Sequence, residues 1–325
     1  PTMRFVAIKS VEQQDIQATQ RVRSLEDIRH KICLEPQNCV VCRQGNHSVE
    51  DGMAYQEISD EFWAKVEPLL EPFKRKKSGG SPPLEFRRIV NGIFYLLKTG
   101  CQWAYLPSFY GSKSTIHEHF QKWVHAGVFA EIFRLSAEEY QELTGIDWEW
   151  QAMDGALMQA PVRGQPICLE EEALGRNPTD RGRSGSKTHL HVDQKGIPLG
   201  VTLTGANVHD SRLISPTLET VILARPEPTP EQPQPLCLDK GYDYPRVEEE
   251  VKAHTYIPHI RRIGEEKIAD GAKTHPARRW VVERTIAWLK GFRAIRTRYF
   301  CRAQNYLAMI HLACALIVSR KLETA

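Results

Sequence analysis

The stretch "KTHLHVDQKGIPLGVTLTGA", residues 187–206, alternates apolar and polar side chains on both sides of a turn at 193–196. Period-two alternation on two arms around a Gly-containing turn predicts a β-hairpin. Upstream, "WEWQAMDG" (148–155) reads as a short strand ending at Asp154. Downstream, "SRLISPTLETVILA" (211–224) reads as a helix and "PEPTPEQPQP" (226–235) as a Pro-rich loop. "LCLDKGYDY" is an apolar strand ending at Asp239. It is followed by the helix "PRVEEEVKAH", the strand "TYIPHI" and the helix "RRWVVERTIAWLKGFRAI" (278–295). The order β, ββ, α, β, α, β, α predicts an α/β domain, a mixed sheet with helices on both faces. That order matches the ribonuclease H-like fold.

Ahead of it the pattern is helical. Ser59 is placed to cap "SDEFWAKVEPLL", whose Phe62, Val66, Leu69 and Leu70 share a face. The basic linker "KRKKSGGSPP" (74–83) precedes "LEFRRIVNGIFYLLKTG", with a core-facing period from Phe86 to Leu97 and a stop at Gly100. "SKSTIHEHFQKWVHAGVF" follows, burying Ile116, Phe120, Trp123 and Val124 and turning Lys113, Thr115, His117, Glu118, Gln121 and Lys122 outward. Two helices around a turn suit a small all-α, helix-turn-helix-like DNA-binding unit, although this turn is longer than the tight form; spacing alone fits a plain bundle as well. The expected division is 1–52 as a poorly packed extension, 53–145 as the helical domain and 146–325 as the catalytic domain.

Composition is ordinary: 325 residues, 41% hydrophobic, 26% charged, net charge +3. No apolar run is long enough to span a bilayer and no signal peptide is visible, so the expectation is a cytoplasmic protein without a membrane partner. The distribution of charge says more than its sum. Residues 278–302 hold eight Lys or Arg against Glu283, and residues 176–187 hold four against Asp180. Such clusters suit a phosphate backbone. Of the eight cysteines, Cys101, Cys237 and Cys314 sit in apolar runs, as reduced thiols do. Cys39 and Cys42, flanked by Cys33 and His47, have spacing that permits zinc, but the segment is otherwise featureless and zinc is not expected there.

Three acids stand out. Asp154 and Asp239 end strands that this topology makes neighbours, at the sheet edge where α/β folds bind ligands. Glu283, on the last helix quoted, can lie over the same edge. Three carboxylates repel unless cations sit among them, and hard oxygen ligands call for two Mg²⁺ or Mn²⁺ ions. Arg279, Glu283 and Lys290 line one helix face, so the acid can hold metal while its neighbours grip phosphates; Trp280, Ile286, Ala287 and Leu289 are left to pack on the sheet. Further candidate DNA contacts are Arg284 and Arg293, and Arg181, Arg183 and Lys187 of the Gly-rich loop 177–187. Asp210 reads as a helix N-cap and His209 as structurally hydrogen-bonded.

Residues 53–325 resemble the insertion sequence 5 family of bacterial DDE transposases. The resemblance rests on "MDG" at Asp154, "GRNPTDRGRSGSKTHLHVDQKGIPLGVTLTGANVHDS", "LDKGYD" at Asp239 and "HPARRWVVERTIAWLKGFRAI". It implies that Asp154, Asp239 and Glu283 are the catalytic triad and that 58–130 belongs to the DNA-binding part. It further implies a double-stranded DNA partner and at least a dimer on DNA. A Tyr-x2-Arg-x3-Glu-x6-Lys signature of the broader group is met by Arg279, Glu283 and Lys290, with Pro276 at the tyrosine position. Residues 4–24 resemble a fragment of the insertion sequence 110 family of transposases, which suggests a read-through fusion with Met53 as the original start. Rival expectations are a catalytically inactive DNA-binding remnant or a metal-dependent nuclease that only hydrolyses.

Overall fold

Ser59 accepts a hydrogen bond from the Phe62 amide at 3.2 Å and opens α1, Asp60–Leu70, which buries Phe62, Val66 and Leu70. This is a computed structural model, and it describes residues 57–75, 82–161, 172–260 and 280–324. The Cys39/Cys42 pair, the 4–24 segment, Met53, Pro276 and Arg279 all lie outside the described residues, as does much of the 74–83 linker.

Helix α2, Phe86–Thr99, ends at Gly100, whose φ of 66° is the left-handed stop expected from the sequence. Two short 3-10 turns, Trp103–Tyr105 and Ser108–Tyr110, lead to α3, Lys113–His125, and then to α4, Val128–Leu143. Ser112 caps α3 by accepting from the Thr115 amide. Ile116, Phe120 and Trp123 are buried as the spacing predicts.

Among the described residues the sheet has six strands: β1 Gln151–Gln159, β2 Gly175–Arg176, β3 Ser184–Asp193, β4 Pro198–Gly205, β5 Pro235–Leu238 and β6 Ile257–Ile260. Strand β1 pairs antiparallel with β3 and parallel with β5; β3 pairs antiparallel with β4, and β5 parallel with β6. Leaving out the two-residue β2, the spatial order β4–β3–β1–β5–β6 is third, second, first, fourth, fifth. That is the ribonuclease H-like sheet, preceded here by a helical region.

Alternation splits the sheet into two faces. Ala152, Ala156, Leu190, Val192 and Cys237 share one core with Val281, Val282, Ile286 and Leu289 of α7, Trp280–Gly291. The same core takes in α9, Ala303–Leu322, and the helical region, within a single compact unit, Tyr55–Ala325. On the other face Met153, Leu236 and Leu238 pack on Ile214 and Leu218 of α5, Ile214–Leu218, and on Val247 and Val251 of α6, Pro245–Ala253. A four-residue helix, α8 (Arg293–Arg296), joins α7 to α9.

Several expectations are corrected. Strand β1 begins at Gln151 and runs past Asp154, because β3 continues to pair with it after β5 has ended. The helix expected over 211–224 shrinks to α5, since the chain leaves it to donate from Ile222 to the Leu199 carbonyl of β4. Helix α9 was not read from the sequence. Nearly all of its sides are buried, so it carries no amphipathic stripe. Trp280 is 55% exposed and Ala287 is exposed, so of the four α7 residues expected to pack on the sheet only Ile286 and Leu289 do, joined by Val281 and Val282. Among the described residues, no helix is long and apolar enough to cross a membrane.

Candidate active site

Ala152 of β1 is the register partner of Cys237 of β5, the last pair before the two parallel strands part. Two residues further on in each chain stand Asp154 and Asp239. Asp239 is still extended (φ −80°, ψ 177°), so the aspartates are level on neighbouring strands spaced roughly 5 Å apart. Both are partly exposed. Alternation puts them on the face of Ala152 and Cys237, the face that α7 covers. Each carboxylate is oriented locally: Asp154 accepts from the Gly155 amide at 2.8 Å and Asp239 from the Gly241 amide at 2.7 Å.

Glu283 is exposed on α7, in the first turn of the helix. Two residues later, Thr285 Oγ1 donates to the Gly196 carbonyl at 2.8 Å, and Arg284 donates to the Lys195 carbonyl at 2.6 Å. Gly196 permits that approach: its φ is 87°, and an added Cβ would lie 2.7 Å from Thr285 Oγ1. These bonds anchor α7 at the β3–β4 turn, beside the N-terminal end of β1, where Gln151 faces Asp193. Asp154 stands three residues further along, opposite Leu190. The register thus aligns the two aspartates, while the third acid sits on the covering helix, anchored toward the hairpin turn. Among the described residues, no group of three or more His, Cys, Asp or Glu side chains is arranged to hold a metal ion. Two level carboxylates with solvent access do suit a hard cation, which prefers oxygen donors.

The basic residues divide. Arg181, Arg183 and Arg293 are exposed and Lys290 is half-buried. Arg183 lies 3.9 Å from Asp180, an ion pair within the Gly-rich loop. Lys113, His117 and Lys122 of α3 are exposed, with Lys122 bonded to Glu118 at 2.7 Å, while Thr115 and Gln121 are half-buried. Arg284 is held between the rings of Trp280 and Trp288, 4.8 Å from each centroid. Arg298 is wholly buried, donating to Ser186 and to the Ala173 carbonyl. The 278–302 cluster is therefore not one continuous basic surface.

Lys187 is drawn inside. It is 6% exposed, donates to the Val208 carbonyl at 2.6 Å and lies 2.9 Å from Asp210. Asp210 Oδ1 has no hydrogen-bond partner, so this contact is an ion pair without good hydrogen-bond alignment. Asp210 is consequently not the helix cap. His209 caps the 3-10 turn Asp210–Arg212 that precedes α5, accepting from the Ser211 amide at 3.3 Å.

Beside this pair, on the face away from α7, His189 Nδ1 is 2.9 Å from Thr217 Oγ1 and its Nε2 is 2.6 Å from Tyr242 Oη. Burial pushes the pKa of His189 down to about 4 and that of His191 to about 3, so both rings are neutral. The sequence did not single these residues out, although Lys187, His189 and His191 at period two already mark one strand face as polar.

Two family descriptions match the chain: "Putative transposase of IS4/5 family" over residues 58–133 and "Transposase DDE domain" over 151–318, more than half of the chain. Neither reaches residues 4–24, whose separate resemblance gains no support. Among curated relatives, "Putative transposase for insertion sequence element IS402" of Burkholderia cepacia is 38% identical over 154 residues, covering 46% of this chain and 71% of the relative. An "Insertion element IS402 uncharacterized 16.2 kDa protein" from the same organism is 34% identical over 119 residues, covering 35% and 81%. Among solved structures, a piggyBac transposase synaptic complex with hairpin DNA is 10% identical, covering 82% of this chain and 74% of that one. Its TM-score of 0.37 is too low to carry weight. With a DDE-domain match spanning most of the α/β region and an IS4/5 match spanning the helices before it, this chain belongs to the DDE transposases of the IS4/5 family.

Proposed function

We propose that the protein binds the inverted ends of its insertion element and carries out metal-dependent DNA cleavage and strand transfer. The observation supporting this most strongly is the alignment of Asp154 and Asp239 on adjacent parallel strands of a ribonuclease H-like sheet. Asp154, Asp239 and Glu283 would hold Mg²⁺ or Mn²⁺. Bound there, two such ions would activate a water or a 3′-hydroxyl and stabilise the leaving oxygen of an in-line phosphoryl displacement. The chain's own residues position and neutralise. The sheet fixes the two aspartates at one height. Arg181, Arg183, Lys290 and Arg293, with Arg279 outside the described residues, supply positive charge for DNA phosphates. The exposed residues of α3 are the base-reading candidates, in a helical DNA-binding domain ahead of the catalytic one. Like-charge repulsion among three carboxylates would be relieved by a cation held between them. Cutting two ends together calls for at least a dimer on DNA.

The test is a joining assay with purified protein, Mg²⁺ and duplexes bearing the element's terminal repeats. Joined products that vanish in Asp239→Asn while DNA binding persists support the proposal. Nicked products without joined ones favour a hydrolytic nuclease. Binding with neither product favours a non-catalytic remnant.

A further inference from the structure

His189 lies in β3 as the register partner of Gly155, the residue after Asp154. Its ring comes to 3.4 Å from where a Cβ on Gly155 would be, beside Asp210, which occupies the space that the glycine leaves. From there it reaches Tyr242, which closes the short turn Lys240–Tyr242. Asp239 is the N-cap of that turn, and its carboxylate accepts from Gly241. On one side the surrounding layer is apolar, made by Met153, Leu236, Leu238 and Val247, and on the other stands the Lys187–Asp210 pair. Polar groups in such a layer cost desolvation unless fully bonded, and once bonded they fix geometry more sharply than apolar contact. One nitrogen of the neutral imidazole donates and the other accepts, so Thr217 and Tyr242 are both held.

We propose that His189 and Tyr242 are positioning residues: their hydrogen bond ties the turn carrying Asp239 to the strand layer carrying Asp154, and so sets the separation of the two carboxylates. This rests on the metal-site reading above. The role assigned to these two residues needs no contact with the aspartate side chains. They act through the turn, from the opposite face of the sheet.

The test uses the full chain and three variants. Tyr242→Phe keeps the ring and removes only the bond, His189→Leu removes it from the other side, and His189→Gln can restore a donor and an acceptor. One readout is amide hydrogen exchange of residues 239–243, including Gly241; the other is Mn²⁺ binding followed by electron paramagnetic resonance. Tyr242→Phe is expected to speed exchange in the turn and weaken Mn²⁺ binding, each by about tenfold, with the urea midpoint little changed. His189→Gln should recover part of both. Unchanged exchange at Gly241 and unchanged Mn²⁺ affinity in Tyr242→Phe overturn the proposal even if His189→Leu does not fold. Faster turn exchange in a protein whose parent takes up no Mn²⁺ supports the His189–Tyr242 tie and overturns the metal reading instead.

Discussion

Gly155 leaves its side of β1 open and Asp210 fills the space: a Cβ at residue 155 would lie 2.2 Å from Asp210 Oδ1. The "MDG" glycine is therefore a packing requirement behind the first aspartate. Gly155→Ala must push Asp210 away or bend β1, at a cost of about 1–3 kcal/mol, as for other overpacked sites. Urea unfolding measures it. A midpoint equal to that of the parent would show that the carboxylate moves freely.

Lys187 and Asp210 form an ion pair with side-chain exposures of 8% and 37%. Asp210→Asn removes the counter-charge and leaves the buried ammonium facing only neutral oxygens, the Val208 carbonyl among them. Removing one partner of a fully buried pair costs about 3–5 kcal/mol, but Asp210 keeps over a third of its surface in water, so about 1–3 kcal/mol is expected. Replacing both residues together, as Lys187→Met with Asp210→Leu, should recover part of the loss. A double variant no better than Asp210→Asn alone would contradict the pairing.

Acid should destabilise the fold. Burial lowers His189 to about 4, His191 to about 3 and His311 to about 4. Each is depressed below its ordinary value near 6.5. The unfolded chain therefore binds protons that the folded chain refuses, and the stability these rings confer is complete above pH 6.5 and drains as pH falls toward 4. Asp193, raised to about 6 by burial, acts oppositely, its contribution being lost as pH rises through 6. Urea midpoints at pH 7.5 and 5 should differ, and the gap should narrow in His191→Leu. A pH-independent midpoint would falsify this reading.

Arg284 and its neighbours separate structure from DNA contact. Arg284→Ala loses two ring contacts and the Lys195 bond, so stability falls by about 1–2 kcal/mol with little change in the salt dependence of DNA binding. Lys290→Ala and Arg293→Ala should each lower the salt slope by about one phosphate contact and leave stability near that of the parent. Fluorescence anisotropy over a salt series checks both, and a reduced slope in Arg284→Ala would reassign that residue.

Much of this was legible because alternation and capping are local. The 187–206 hairpin, the Ser59 cap and the Gly100 stop stand where the sequence puts them. Strand order followed from element order, since a hairpin then parallel strands leaves few topologies. What escaped depends on tertiary contact. Lys187 reads as a free cation in a Gly-rich loop, and only the fold brings Asp210 to it. Arg298 sits in a basic run yet is buried under Tyr306 and Ser186. Helix α9 has too few polar positions to show a period. The anchoring of α7 by Thr285 at Gly196, which bears on where Glu283 stands, leaves no mark in spacing.

Iron-mediated backbone cleavage probes the proposed metal site most directly. Fe²⁺ replaces Mg²⁺ in the full chain bound to a duplex carrying the terminal repeat, and ascorbate and peroxide then release radicals where the ion sits. Cuts clustered near residues 154, 239 and 283, suppressed by excess Mg²⁺ and absent in Asp239→Asn, are the expected result. Cuts that avoid residue 283 with DNA bound, or that ignore Mg²⁺, would contradict a cation held jointly by the three carboxylates.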